Sequence, residues 1–402
     1  MTGWTTKPLW LEEAQANVAS CVKEAKSRHI ADFSWNSLPT EYPVEEGEVE
    51  GSVYDFSAYS DEPLWIQNEQ QVYVEQLPMS LIEAGVVMMD LQEALWDEVF
   101  SEKLRPYMEQ PLSKDQQSMV HFLHNEEGML LYIPDHTVIQ EPIHLQFLQE
   151  QLANWEHVIL FIGENCQLSL KENWEYKGNT YNNQAVQLIL GANSQLDYFS
   201  QSIGEGKGTT FLQRDFVLQQ DSQLTFRGQL LNSGVHVECI DVHVEGSGAK
   251  CMVDLSTYGA TQEKKVVDVQ ILQSNHHTES DLVLRGLAAK KGKVLLNATS
   301  HIQKNAPYSS AVQKSDLLLA EEKSGGTANP ILLIDNNEVK ANHAAAIGAL
   351  SEDKLYYMLS RGLTYEMAVQ LYAKGFLAQN GKHDEWLSLW ARKEEYVGRR
   401  ED

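Results

Sequence analysis

The chain of 402 residues carries 31 basic and 57 acidic side chains, a formal charge of −26, with 43% hydrophobic residues and nine tryptophans. That composition supports a large core and excludes disorder throughout. The acidic balance argues against phosphate backbones and anionic lipid as partners.

Leu11, Ala14, Val18, Cys21, Val22 and Ala25 recur at helical spacing behind Pro8, which predicts an opening helix. Residues 29–60 are irregular, with Pro39, Pro43 and five glutamates between positions 41 and 50, and read as an acidic surface connection. An apolar segment at 86–89 precedes a predicted helix with Leu91, Leu95 and Val99 on one face. Residues 119–123 read as one further helical turn. His121 and His124 lie three apart there, without the further ligands a metal needs.

From Gly128 the period switches to strand. VILFI-GENC-QL, VQLIL-GANS-QL and RDFVL-QQDS-QL repeat, closing on Leu168, Leu196 and Leu224 at steps of 28. A weaker copy, VHVE-GSGA-KCMV, puts Met252 at the next step, and LLYI-PDHT-VI reads as an earlier one. A fixed period of this size marks stacked units that cannot bury their apolar faces alone. Strands without intervening helices favour a parallel β-helix over a leucine-rich solenoid, and the period is short for propeller blades. A β-sandwich would alternate more cleanly. Gly325-Gly326 is followed by no phosphate-loop pattern and reads as a corner turn.

The stretch 330–362 joins two regimes. A strand turns at Asp335-Asn336-Asn337, and a second places Val339, Ala341, His343, Ala345 and Ile347 on one face. Ser351 then caps a helix over 352–361, stopped by Gly362. Thr364 caps another, with Met367, Ala368, Leu371, Tyr372, Gly375 and Phe376 as its stripe, and Trp386, Leu389, Trp390 and Val397 suggest a third. Such helices either cap the solenoid's open end or dock another protein.

Elsewhere, His276 and His277 are adjacent, so on a strand they would face opposite sides. Cys21, Cys166, Cys239 and Cys251 lie far apart, a spacing that suits free thiols in a reducing cytoplasm. Cys239 and Cys251 are the pair to consider for a sulfur relay inside the solenoid. No apolar run is long enough for a membrane helix, and residues 1–15 lack the order of a secretion signal, so a cytoplasmic location is expected.

Residues 317–363, LLLAEEKSGGTANPILLIDNNEVKANHAAAIGALSEDKLYYMLSRGL, resemble the C-terminal signature of the SufB/SufD family of iron–sulfur assembly scaffolds. HFLHNEEGMLLYIPDHTVIQEPIHL, with Gly128, Pro134 and Pro142, is similar to that family's entry into its β-helix. The SufD branch is the better match, since no N-terminal cysteine cluster of the SufB kind is present.

The resemblance implies a right-handed parallel β-helix (119–347) flanked by an N-terminal helical region with an acidic linker (1–118) and a C-terminal helical domain (348–402). It implies a non-enzymatic scaffold that pairs with SufB and docks the ATPase SufC; whether the isolated chain forms a homodimer is left open by the sequence. No cofactor is expected to stay on this chain alone, although an iron–sulfur cluster would pass through the SufB interface. Where many SufD proteins read C-S-H-G this chain has Ala341-Asn342-His343-Ala344, so no thiolate comes from this segment. His343 is the candidate ligand for iron or a nascent cluster, with Asn342 beside it. The alternative is a histidine satisfied inside the last turn or packed on a partner. The helical surface for SufC would use Ser351, Leu355, Tyr356, Leu359, Arg361, Met367, Leu371, Tyr372 and Phe376. Rival readings are a β-helix polysaccharide lyase or hydrolase, which needs clustered carboxylates and a basic groove, and a homodimeric structural solenoid.

Overall fold

The computed structural model describes residues 7–28, 30, 62–68, 72–125, 127–178, 180–204, 206–261, 263–321 and 323–377. The acidic stretch at 41–50 and the third C-terminal helix, read from Trp386 to Val397, lie outside them.

From Gly128–Ile133 onward the chain winds as a parallel β-solenoid of about 8 turns. Strands alternate between a nine-stranded and a ten-stranded sheet, and from Ala153–Ile162 each pairs in parallel with the strand two places before it. Alternate residues face inward, as in Val158, Leu160 and Ile162 over Val186, Leu188 and Leu190, and one apolar core runs from Trp65 to Leu317. Each such Val, Leu or Ile contributes about 1.5–3 kcal/mol by leaving water.

The repeat is physical. Leu168, Leu196, Leu224, Cys251, Ser280, Ala311 and Ala341 stack in register, at steps of 28, 28, 27, 29, 31 and 30 residues. Cys251, not the expected Met252, therefore continues the leucine column. The strand Gln223–Leu230 has eight residues rather than ten, while the corner after Val235–Val244 has gained one. One corner is set by a ladder of left-handed residues: His136, Asn165, Asn193, Asp221, Gly248, His277 and Tyr308. The N–H of each donates to a carbonyl of the following coil. Asn, Asp and Gly dominate because they accept positive φ at least cost.

The N-terminal region departs from expectation. Besides helices it supplies three strands, Leu64–Asn68, Val72–Gln76 and Val87–Asp90. The third pairs antiparallel with Gly128–Ile133, and the first lies parallel to Ile143–Gln149 with the second antiparallel beside it. Together they close the solenoid's first coil; the β-branched and aromatic residues of L-W-I-Q-N and V-Y-V-E-Q are the local cause. Helices Leu9–Cys21, Leu91–Trp96, Glu98–Met108 and Gln116–Phe122 pack Leu11, Leu91, Leu95, Leu104, Met108 and Phe122 on Leu130, Ile159 and Ile189 of the nine-stranded sheet. That cover buries all ten residues of Tyr181–Leu190. The single helix expected to hold Leu91, Leu95 and Val99 on one face breaks at Asp97. Its carboxylate accepts from Val99 N–H (2.8 Å) and Phe100 N–H (2.9 Å), starting a new helix that turns Val99 to solvent.

Inside the solenoid sits a buried ionic group. Arg214 reaches Glu172 at 2.8 Å and Glu238 at 2.7 Å, and Tyr198 and Ser200 donate to Glu172 at 2.8 and 2.6 Å. Burying such charges is tolerable only when they are paired and hydrogen-bonded.

Candidate functional site: the open last coil and the helical flank

The strands Gly325–Ile334 and Lys340–Ala349 are the outermost members of their sheets at the C-terminal end. No described element lies over them. Leu317 is 2% exposed, whereas Ile347, its register partner one coil on, is 51% exposed. Ile302 at 0% gives way to Ile334 at 46% in the same manner. The inward pattern thus continues into the last coil, but no described element covers it.

The turn between the two strands is fixed. His301 Nε2 meets Asp335 at 2.8 Å, Asn336 Nδ2 donates to Lys304 O at 2.8 Å, and Asn336 Oδ1 accepts from Glu338 N–H at 2.8 Å. It sets Lys340–Ala349 directly above Ser310–Leu319, with Ala341 over Ala311, His343 over Gln313 and Ala345 over Ser315. His343 therefore occupies an inward register yet is exposed. Among the described residues no further coil encloses the ring. Its neighbours Ala341 and Ala345 leave the ring accessible. The outer edge of this strand presents backbone N–H and C=O groups that pair with no described strand.

The C-terminal helices lie elsewhere. Glu352–Ser360 is capped by Ser351, whose Oγ accepts from Lys354 N–H at 3.4 Å, and Gly362 (φ +92°) ends it. In Tyr365–Leu377, Thr364 Oγ1 accepts from Met367 N–H at 3.2 Å. Leu355, Ala368, Ala373 and Leu377 pack on Leu231, Tyr258, Leu287 and Leu318, and Ser256 Oγ donates to Leu377 O at 3.0 Å. The pair thus runs along the flank and does not cap the end, the other option the sequence offered. Of the residues predicted to face a partner, Tyr356, Leu359, Arg361, Met367 and Leu371 are exposed. Leu355 is turned into the seam, while Tyr372 and Phe376 are half-buried against it. Asp353, Lys354, Tyr357, Met358, Leu371 and Tyr372 line an outward groove of about 390 Å³. The Lys354 ammonium lies 5.2 Å from the Tyr372 ring and the Arg361 guanidinium 5.2 Å from that of Tyr357.

Other candidates resolve differently. His276 and His277 sit at a corner, not on a strand, and His277's left-handed backbone (φ 59°) brings their Nδ1 atoms to 2.9 Å. The expectation of opposite faces is corrected for that reason. Cys239 faces outward beneath Ile30, whereas Cys251 faces the interior, so the two lie in different apolar clusters. His121 pairs with His157 (3.3 Å) and not with His124, which stacks on Trp155. Among the described residues no three His, Cys, Asp or Glu side chains converge to hold a metal, and no helix is long and apolar enough to cross a membrane. Sequence reasoning passed over Gln313 and Arg214. The signal for Gln313 was a polar residue one coil before His343 in an otherwise apolar column.

The family model described as "SUF system FeS cluster assembly, SufBD core domain" matches residues 146–376, more than half of the chain. The iron-sulfur cluster assembly protein SufD of Bacillus subtilis is 26% identical over 327 residues, covering 79% of this chain and 74% of the relative. An iron-sulfur cluster assembly SufBD family protein of Staphylococcus epidermidis is 20% identical over 319 residues, covering 77% and 68%. The matched span takes in the solenoid from its second strand onward, the open coil and, to within its last residue, the helical flank.

Proposed function

The chain belongs to the SufBD family of iron–sulfur cluster assembly proteins, and from that premise we propose that it is a SufD-type scaffold which pairs with SufB through its open last coil and holds the ATPase SufC on its helical flank. The observation that carries this reading is the uncovered coil. Two outermost strands whose outer backbone groups pair with no described strand, one with exposed apolar side chains at Ile331, Leu333 and Ile334 and the other with Ile347 and one imidazole, His343, suit continuation by a partner's sheets.

His343 would offer a neutral ring nitrogen to a cluster in assembly, the cluster being cargo, with the remaining ligands supplied by SufB. ATP hydrolysis belongs to SufC in this reading. The aromatic groove at Tyr357 and Leu371 is the surface for that ATPase. Only Leu350 and Ser351 separate the edge strand from the first flank helix, a short route by which movement at one surface would be felt at the other.

Co-expression of the tagged chain with SufB and SufC tests the assignment. Ala345→Pro, which removes an N–H and distorts the edge strand, is expected to lose SufB and keep SufC; Tyr357→Ala with Leu371→Ala is expected to do the reverse. Retention of both partners by both variants would sink the assignment, as would capture of a second copy of this chain in place of SufB.

A further inference from the structure

The column of side chains beneath His343 changes character one coil before the end. Leu170, Tyr198, Phe226, Val253 and Leu282 stack inside the solenoid, and then come Gln313 and His343. Gln313 is fully buried. Its Nε2 donates to Ser300 Oγ at 2.7 Å and to Ile331 O at 3.1 Å. A backbone carbonyl only accepts, so the amide's orientation is fixed and Oε1 points the other way. That oxygen is buried and meets no donor, which is costly for an acceptor.

Below Gln313 in the column, Leu282 has nothing to donate. In the inward register of the strand above, Ala341 and Ala345 flank the one side chain with an N–H, His343, and adjacent layers of a sheet are about 4.8 Å apart. We propose that Gln313 is the positioning residue for His343: its Oε1 accepts the proton of one imidazole nitrogen, so that the other nitrogen presents its lone pair to the open coil. This is the arrangement by which outer partners orient histidine ligands in metal sites generally. It deepens the reading of His343 as the working residue of the open coil and rests on it.

The test is the tautomer and titration of His343 in the full-length protein, by imidazole ¹⁵N NMR, with its signals assigned by their loss in His343→Asn. Wild type is expected to show one dominant tautomer with a hydrogen-bonded N–H. Gln313→Glu, of the same shape, is expected to raise the His343 pKa by about one unit or more, because a carboxylate then faces the ring. Gln313→Leu is expected to return the ring to the tautomer mixture of free imidazole. A wild-type ring already in that mixture overturns the proposal, and so does a His343 titration unmoved by Gln313→Glu. Should Gln313→Leu fail to fold, those two measurements still decide. If the Gln313 variants move His343 but His343→Ala leaves cluster assembly in cells intact, the positioning stands and the assembly role of the histidine falls.

Discussion

At the scale of single residues, two buried polar groups make predictions of opposite kinds. His121 Nδ1 donates to Asn183 O at 3.0 Å and its Nε2 faces His157 Nδ1, while His157 Nε2 lies 2.8 Å from Gln187. Burial holds His157 down at about 4, and burial followed by the charge of His157 lowers His121 well below its ordinary value. In the unfolded chain both titrate near ~6.5. On acidification the unfolded state therefore takes up protons first, so stability is full above about 6.5 and is lost as the pH falls toward about 4, by an amount on the order of a few kcal/mol. Urea midpoints at pH 7.5, 5.5 and 4.5 should fall steeply in wild type and less so in His157→Gln; equal slopes would count against the buried pair as the cause. Arg214 behaves otherwise. Arg214→Met should cost about 3–5 kcal/mol, since it strands Glu172 and Glu238 without a counter-charge, whereas adding Glu172→Gln and Glu238→Gln should recover much of that loss. Denaturant melts of the single and triple variants would show whether the arginine matters for its charge or for its volume.

At the scale of elements, the flank helices should be separable from the solenoid. Leu355 anchors the first of them in the seam with Leu287 and Leu318, and Leu355→Ala is expected to loosen this contact by about 2–4 kcal/mol. Hydrogen exchange should then speed up over residues 352–377 and stay unchanged over 153–302; a uniform change would mean the helices and coils unfold as one unit. The strands show how far local pattern reaches. Gly, Asn and Asp at corners and a constant step made the coils legible, because each coil repeats the same inward choices. The replacement of Met252 by Cys251 was not legible, since it follows from a strand two residues shorter and a corner one residue longer. The strands Leu64–Asn68 and Val72–Gln76 were passed over because they are short and interrupted by the turn between them. Asp97 was read as one more polar position in a helix when its role is to begin a new one.

At the scale of the whole molecule, what the sequence leaves open is which surfaces remain uncovered. Ile347 and Leu317 carry the same inward signature, yet one is exposed and the other buried, because among the described residues a further coil lies over Leu317 and none over Ile347. For the same reason His343 read equally well as an enclosed or an accessible side chain. The helical stripes showed an apolar face but not that one part of it, at Leu355, is spent on the chain's own flank. Among the described residues one coil end is closed by Leu64–Asn68 and Val87–Asp90 and no element covers the other. The direct test is amide hydrogen exchange across Lys340–Ala349, in the isolated chain and in its complex with SufB and SufC. Rapid exchange of the outward amides is expected in isolation and strong protection in the complex, centred on His343. Unchanged exchange there, with protection appearing on another face, would contradict the proposed pairing.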